Sequence, residues 1–162
     1  MKFVPSIRAA RDDDAPYLQD IDIKCFDHTW LPDDWGILWE SKSASVLVGC
    51  HYGTPVGFLA WELHEYKEAP ALHVYKVAVK PQFRGNNVGK HLLANAYELL
   101  IKTGDVRHIT IPVPESMTIG DPPKNCVGWL HKLKFKAAGF AEGKERLYGS
   151  SEDVILFVQE MP

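Results

Sequence analysis

The sequence lacks the features of membrane, disulfide-rich and nucleic-acid-binding proteins. No apolar run in its 162 residues approaches the roughly 18 residues of a membrane-spanning helix, and residues 1–5 contain no apolar core of a secretory signal. Three cysteines without a C-x-x-C pair predict reduced thiols and neither a disulfide framework nor a metal site. A net charge of −3 argues against a dedicated nucleic-acid binder. We therefore expect a cytoplasmic protein with no membrane, metal or nucleic-acid partner.

The composition is that of one folded domain. Hydrophobic residues make up 46% of the chain and charged residues 24%, which is typical of globular proteins. A chain of this length can bury a substantial core. We predict a single α/β domain over residues 1–162.

The most informative stretch is V-A-V-K-P-Q-F-R-G-N-N-V-G-K-H-L-L, residues 77–93. An apolar strand runs up to Pro81, a loop rich in glycine and asparagine follows, and apolar residues then recur at helical spacing from Val88 to Leu100. Such a loop exposes backbone N–H groups at the positive end of the helix dipole, with Arg84 and Lys90 beside it. The stretch therefore predicts a phosphate or pyrophosphate site.

Two familiar phosphate loops do not fit this stretch. It is not G-x-G-x-x-G with a suitably placed acidic residue about 20 positions later, which excludes a Rossmann site. Lys90 is followed by His91, so the stretch is not a P-loop either. An ordinary helix start, whose glycines only shape a turn, remains as the alternative.

The same stretch resembles motif A of the GNAT superfamily, the acyl-CoA-dependent N-acetyltransferases. The family pattern Q/R-x-x-G-x-G/A falls on Arg84, Asn87 and Gly89, so asparagine replaces the first glycine. Asparagine is one of the few other residues that readily adopt left-handed backbone angles. The resemblance implies acetyl-CoA as co-substrate. Its pantetheine arm would meet backbone groups of Val77, Ala78 and Val79, and its pyrophosphate would bind at Arg84, Gly85, Asn86, Asn87, Val88, Gly89 and Lys90.

The rest of the chain predicts the element order β-α-α-β-β-β-α-β-α-β-β. Strands are expected at 6–10, 45–52, 56–63, 72–79, 108–113, 140–148 and 154–159, and helices at 12–25, 33–40, 88–103 and 122–138. Residues 65–70 are predicted to be a polar connection, and Gly104 and Gly139 to end the last two helices. The resemblance implies a mixed, mostly antiparallel sheet with helices on both faces, splayed between the fourth and fifth strands where acetyl-CoA inserts.

Acetyl transfer in this family is a direct attack of an amine on the thioester, so the amine must be neutral. His73, where the histone-acetylating branch carries a glutamate base, and Glu115, just after the fifth strand, are the predicted catalytic bases. A structural histidine is the alternative for His73. Glu62 and His64 on the third strand are further candidates for the base.

The general acid of many family members is a tyrosine four residues before the glycine of motif B. If Gly139 is that glycine, Phe135 occupies the tyrosine position and cannot donate a proton. His131 and Tyr148 are possible replacements. Asn125 is similar to a motif B asparagine that contacts CoA, but its spacing differs.

The segment C-F-x-x-x-W at residues 25–30 resembles the region between the first two helices of GNAT members that acetylate protein N-termini. The alternative is that Phe26, Trp30 and Trp35 belong to the core. We predict transfer of acetyl from acetyl-CoA to a primary amine of a protein N-terminus, a lysine or a small molecule, by a monomer or homodimer. A non-catalytic acyl-CoA-binding or regulatory module is the alternative.

Overall fold

The computed structural model describes residues 3–102, 106–122, 125–141 and 153–160. The helices are α1 (Ala15–Cys25), α2 (Pro32–Glu40), α3 (Val88–Ile101) and α4 (Val127–Lys132). The strands are β1 (Ser6–Ala9), β2 (Ala44–His51), β3 (Thr54–Tyr66), β4 (Ala69–Val79), β5 (His108–Pro114), β6 (Lys136–Ala141) and β7 (Val154–Glu160). This order confirms the predicted one. No helix in the described ranges has both the length and the apolar character needed to cross a membrane.

The seven strands form one sheet in the order β1-β2-β3-β4-β5-β7-β6. Every neighbouring pair is antiparallel except β4 and β5, which run parallel. The parallel pair is joined by α3, as a crossover connection requires. The mixed, mostly antiparallel sheet of the prediction is confirmed.

Each face of the sheet is covered by one pair of helices. The core on the α3 and α4 side contains Leu72 and Val74 of β4, and the core on the α1 and α2 side contains Tyr75 and Ala78 of the same strand. Strand side chains alternate between faces, but Tyr75 interrupts this alternation. Ala60 pairs with Lys76 and Trp61 with Val74, so Tyr75 is the extra residue of a β-bulge.

The predicted polar connection at residues 65–70 is wrong. β3 extends to Tyr66 and β4 starts at Ala69, so only Lys67 and Glu68 join them. These two residues have φ of 50° and 63°. Two successive residues at positive φ form the tight turn that suits the twist of a hairpin. Neither residue type favours these angles, which is why the sequence did not indicate the turn.

The predicted course of the last helix is also wrong. α4 starts at Val127 rather than after Asp121, and it ends at Lys132 because Lys134 adopts a left-handed conformation with φ of 69°. The N–H of Lys134 donates to the His131 carbonyl and that of Phe135 to the Leu130 carbonyl, both at 3.0 Å. This is a Schellman ending, which usually carries glycine at this position. Gly139 lies in β6, which starts four residues earlier than predicted. Gly104, Tyr148 and the predicted strand beyond residue 141 lie outside the described residues.

Candidate active site

A gap opens in the sheet between β4 and β5. The two strands pair only at Ala71 with His108, Leu72 with Ile109 and His73 with Thr110, although β4 continues to Val79 and β5 to Pro114. Beyond the last pair, the described backbone of each strand has a free edge facing the other. Pro112 lies on this free stretch, where its missing N–H removes no bond to β4. The splay predicted between the fourth and fifth strands is confirmed.

The loop that begins α3 lies at the wide end of this gap. Asn87 has φ of 58° and ψ of 26°, the left-handed conformation expected where the family pattern has glycine, and Gly85 has φ of 85°. Asn86 fixes the loop, because its amide donates to the Phe83 carbonyl and its oxygen accepts from the Phe3 N–H. Arg84 and Lys90 are exposed beside the first amides of the helix. The loop therefore has the backbone form of an anion site.

The strand residues predicted to meet the pantetheine arm differ in their surroundings. Ala78 is buried on the α1 side, whereas Val77 and Val79 are half-buried and pack on the other core. The Val79 carbonyl already accepts from Arg84 Nε at 3.0 Å and from Cys25 Sγ at 3.4 Å. Backbone contacts from this strand to a ligand would therefore come from Val77 and Ala78 more readily than from the Val79 carbonyl.

Gly89 and Trp129 lie in contact where α3 meets α4. A Cβ atom on Gly89 would lie 3.0 Å from Trp129 Cζ2, closer than ordinary packing allows. A side chain at position 89 would therefore require the Trp129 ring to shift by a few tenths of an ångström, so the glycine allows the close approach of α4.

Four polar side chains meet at the narrow end of the gap, on the α1 and α2 face. The Tyr75 hydroxyl donates to Glu62 Oε2, and His64 Nε2 lies 3.1 Å from the same oxygen and 3.2 Å from the hydroxyl. The His64 and His73 rings stack with centroids 4.5 Å apart. His73 Nδ1 is hydrogen-bonded to Thr110 Oγ1 of β5 at 2.7 Å. We call Glu62, His64, His73 and Tyr75 the β3–β4 cluster.

The members of the β3–β4 cluster differ in how readily they can take a proton. Burial, and then the nearby His64 ring, lower the pKa of His73 to about 3. Burial alone would raise the pKa of Glu62, but hydrogen bonds from Ser43, Tyr75 and His64 bring it below its ordinary value. His73 is only 4% exposed, whereas the His64 side chain is 34% exposed. His64 is therefore the most exposed member of the cluster, and Glu62, whose side chain is 23% exposed, is the next.

Glu115, the second predicted base, lies apart from the cluster. It is exposed in the 3₁₀ turn Glu115–Met117, five residues beyond Thr110, which is about 16 Å along an extended strand. The structure therefore does not bring Glu115 and His73 together.

Because α4 ends earlier than predicted, a different residue lies at the position of the family's tyrosine acid. With Lys134 in the left-handed conformation of the motif B glycine, the position four residues earlier is Leu130 and not Phe135. Both side chains are buried apolar residues and neither can donate a proton. His131 is exposed on α4. Asn125 accepts from the Val127 N–H and donates to the Gly120 carbonyl, so it organises the start of α4.

A buried ion pair that sequence patterns did not indicate lies beside the cluster. Lys76 Nζ lies 2.6 Å from Asp22 Oδ1 of α1 and donates to the His28 carbonyl at 3.0 Å. The same nitrogen lies over the rings of Phe26 and Trp30 at 4.6 and 4.4 Å. Asp22 also accepts from the Trp30 N–H at 2.7 Å. The segment between α1 and α2 is thus fixed to β4, and Trp30 and Trp35 are core residues.

The model of the Acetyltransferase (GNAT) family matches residues 15–118 of the chain. This range includes α1 to β5, the loop before α3 and the β3–β4 cluster. No curated protein sequence matches the chain.

Solved structures of N-acetyltransferases have the same fold. The ribosomal-protein-S18-alanine N-acetyltransferase from Escherichia coli is 16% identical with a TM-score of 0.72, over 97% of this chain and 94% of that chain. NAA60 from Arabidopsis thaliana, in complex with acetyl-CoA, is 12% identical with a TM-score of 0.75, over 98% and 99%. Arabidopsis thaliana Naa50, with the bisubstrate analogue CoA-Ac-MVNAL, is 14% identical with a TM-score of 0.71, over 97% and 99%. At these identities the likeness shows a shared fold.

Proposed function

The chain belongs to the GNAT acetyltransferase family, and we propose that it transfers an acetyl group from acetyl-CoA to a primary amine. The observation that carries this proposal is the sheet gap with an anion-binding loop at one end and a polar cluster at the other. One end of the gap offers a site for the diphosphate of the donor, and the other end offers a proton acceptor for the amine.

The loop at the start of α3 would hold the diphosphate of acetyl-CoA. Gly85 and Asn87 turn the backbone through left-handed angles, so that the amides at the start of α3 remain open to a ligand. Arg84 and Lys90 add charge that would strengthen these hydrogen bonds. The free edges of β4 and β5 then offer backbone groups to the pantetheine arm and an N–H to the thioester oxygen, as a preorganised donor requires.

We assign removal of the amine proton to His64, supported by Glu62. A group with a pKa near 3 binds a proton weakly at neutral pH, which argues against His73 as the acceptor. His64 is half-exposed, and the Glu62 carboxylate beside it would stabilise the imidazolium formed when the proton arrives. His73 then acts as a positioning residue, stacked under His64 and fixed by Thr110.

The proposed reaction needs no donor at the usual tyrosine position. The neutral amine forms the new C–N bond and the C–S bond breaks, which releases a CoA thiolate. The attacking nitrogen is positively charged once the C–N bond has formed, and it transfers one proton to the β3–β4 cluster. The thiolate takes a proton from solvent. Leu130, at the tyrosine position, is compatible with this route because it takes no part in proton transfer.

We propose a protein N-terminus as the acceptor. An α-amine has a pKa near 8 and is more easily deprotonated at pH 7 than a lysine amine near 10.4. Two structures of this fold support a protein acceptor: a ribosomal-protein-S18-alanine N-acetyltransferase, and Naa50 in complex with the bisubstrate analogue CoA-Ac-MVNAL. A lysine or a small amine is the next candidate. The cytoplasmic location, the oligomeric state and the lack of a nucleic-acid partner stay predictions.

Replacement of single cluster residues tests the assignment of the base. We expect His64→Ala to lower kcat by about a hundredfold, at the lower end of the contribution of a general base, with unchanged affinity for acetyl-CoA. Glu62→Gln should also lower kcat, because it removes the carboxylate that would stabilise the imidazolium of His64. The measurement is initial-rate kinetics by thiol release across pH 6 to 9.

The matched control is Glu65→Gln, because Glu65 lies exposed on the same strand as Glu62. It should leave the kinetic constants unchanged. A wild-type rate in His64→Ala combined with a slow Glu115→Gln variant would contradict the assignment and make Glu115 the base. If His73→Asn is slow while His64→Ala and Glu115→Gln keep the wild-type rate, His73 is the base.

A further inference from the structure

A serine outside the β3–β4 cluster holds the Glu62 carboxylate. Ser43 lies in the short connection between α2 and β2, and its hydroxyl donates to Glu62 Oε1 at 2.6 Å. The other carboxylate oxygen, Oε2, accepts from the Tyr75 hydroxyl and lies 3.1 Å from His64 Nε2. The two oxygens of one carboxylate therefore have separate partners, one outside the cluster and the others within it.

Ser43 is itself held in place by Ser41. The N–H groups of Ser43 and Ala44 both donate to Ser41 Oγ, at 3.2 and 3.1 Å, and the two serine hydroxyls lie 3.3 Å apart. These bonds close a serine turn, in which a hydroxyl accepts from backbone N–H groups a few residues later. The Ser43 carbonyl also accepts from the Leu63 N–H of β3 at 3.3 Å. The backbone and the side chain of Ser43 are thus both fixed against β3.

A fixed donor on Oε1 restrains a side chain that is otherwise free to rotate at its end. The terminal torsion of a glutamate is broad, so the carboxylate turns easily when nothing holds it. Without the bond from Ser43, this rotation would carry Oε2 out of reach of His64 Nε2. Glu62 is partly exposed, and a water molecule that replaced the hydroxyl would first have to be immobilised, whereas Ser43 is already held by the chain.

The bond from Ser43 also favours the charged form of Glu62. Burial raises the pKa of Glu62, and the hydrogen bonds from Ser43, then Tyr75 and His64, bring it below its ordinary value. A charged carboxylate only accepts hydrogen bonds, so His64 Nε2 must carry a proton where it faces Oε2. His64 Nδ1 is then the ring nitrogen with the free lone pair, and it is the one that can take a proton from the amine.

We propose that Ser43 is a positioning residue of the reaction, which acts through Glu62 and keeps its carboxylate against His64. This inference rests on the proposed function, because it requires the β3–β4 cluster to accept the proton of the amine. Thr110 has the same relation to His73 at the other end of the cluster, where its hydroxyl is hydrogen-bonded to Nδ1 at 2.7 Å. One hydroxyl from the α2–β2 connection and one from β5 thus fix the cluster from two sides.

The test is a double-mutant cycle between Ser43→Ala and Glu62→Gln, measured as initial rates of thiol release over a range of acetyl-CoA concentrations. Ser43→Ala should lower kcat by about tenfold, the size of one hydrogen bond to a charged group, and leave the KM for acetyl-CoA unchanged. In the Glu62→Gln chain the same substitution should change kcat by less than about twofold, because its effect passes through the carboxylate. Ser43→Thr keeps the hydroxyl and should restore most of the rate. Since Ser43 is exposed, Ser43→Ala should change Tm by no more than about 2 °C.

Ser45→Ala is the matched control, because it removes the same hydroxyl two residues later, on β2, where the paired residue is Trp61 and not Glu62. It should keep the wild-type kinetics. A second measurement needs no substrate: the pKa of Glu62, followed by NMR of its carboxyl carbon, should be higher in Ser43→Ala than in the wild type. A wild-type kcat in Ser43→Ala, a loss of equal size in both backgrounds, or an unchanged titration of Glu62 would overturn the inference and leave the proposed function intact. Absence of thiol release by the wild type with every amine would instead contradict the proposed function.

Discussion

The burial of His73 determines what each member of the β3–β4 cluster can do. His73 is enclosed between the His64 ring, the Tyr75 ring and the Thr110 hydroxyl, so its neutral form is favoured. The sequence could place a histidine on this strand and suggest a base, since histidine is the usual choice. It could not indicate which of two neighbouring histidines is buried, because that depends on the bulge at Tyr75 and on the pairing of β3 with β4.

The buried state of His73 predicts a dependence of stability on pH. Its pKa is about 3 in the folded chain and near 6.5 in an unfolded one, so the unfolded state binds the proton first as the pH falls. The contribution of His73 to the free energy of unfolding is fully present above pH 6.5. It is lost on acidification, by up to about 1.4 kcal/mol per pH unit. Urea unfolding at pH 7.0, 6.0 and 5.0 should show this slope in the wild type.

His73→Asn should remove that slope, because asparagine does not titrate. The matched variant His131→Asn, on the exposed face of α4, should keep the wild-type slope. Equal slopes in the wild type and His73→Asn would show that His73 becomes protonated without loss of the fold, and would return it to the list of possible bases.

At the scale of elements, the sequence predicted what depends on periodicity and missed what depends on single backbone angles. The order of strands and helices and the left-handed Asn87 follow from local pattern. The turn at Lys67 and Glu68 and the ending of α4 at Lys134 do not, because residues that disfavour positive φ are held there by the hairpin and by the packing of Phe135. Leu133 and Ala137 continued a helical spacing by chance, which moved the predicted helix end by several residues.

The segment between α1 and α2 is held by the Asp22–Lys76 pair, and this has a measurable consequence. Burial raises the pKa of Asp22 and lowers that of Lys76, while each charge opposes the shift of the other. Lys76→Met would leave the buried Asp22 carboxylate without its charge partner, which typically costs about 3–5 kcal/mol. We expect a loss of that size in the free energy of unfolding, measured by urea titration.

The control for this prediction is Lys24→Met, which removes the lysine from the surface pair of Lys24 and Asp20 on α1. Surface pairs contribute little, so this variant should be as stable as the wild type. If Lys76→Met loses no more stability than Lys24→Met, the buried pair does not anchor the segment.

At the scale of the molecule, the proposed reaction depends on one geometric relation. The strands β4 and β5 are neighbours at His73 and Thr110 and then separate, which places the loop at Asn87 and the β3–β4 cluster at opposite ends of one gap. A donor with a diphosphate at the first end and a reactive acyl group at the second fits this relation. The fold could be predicted from motif A, but the cluster required the register of three strands.

The most direct test of this account is turnover by the purified chain with acetyl-CoA and a panel of amines, followed by free-thiol release. The panel contains three kinds of amine: peptides with a free N-terminus, peptides with an acetylated N-terminus and one internal lysine, and polyamines. We predict thiol release with at least one free N-terminal peptide, together with calorimetric binding of acetyl-CoA. Binding of acetyl-CoA without thiol release from any amine would contradict the account and favour a non-catalytic acyl-CoA-binding module.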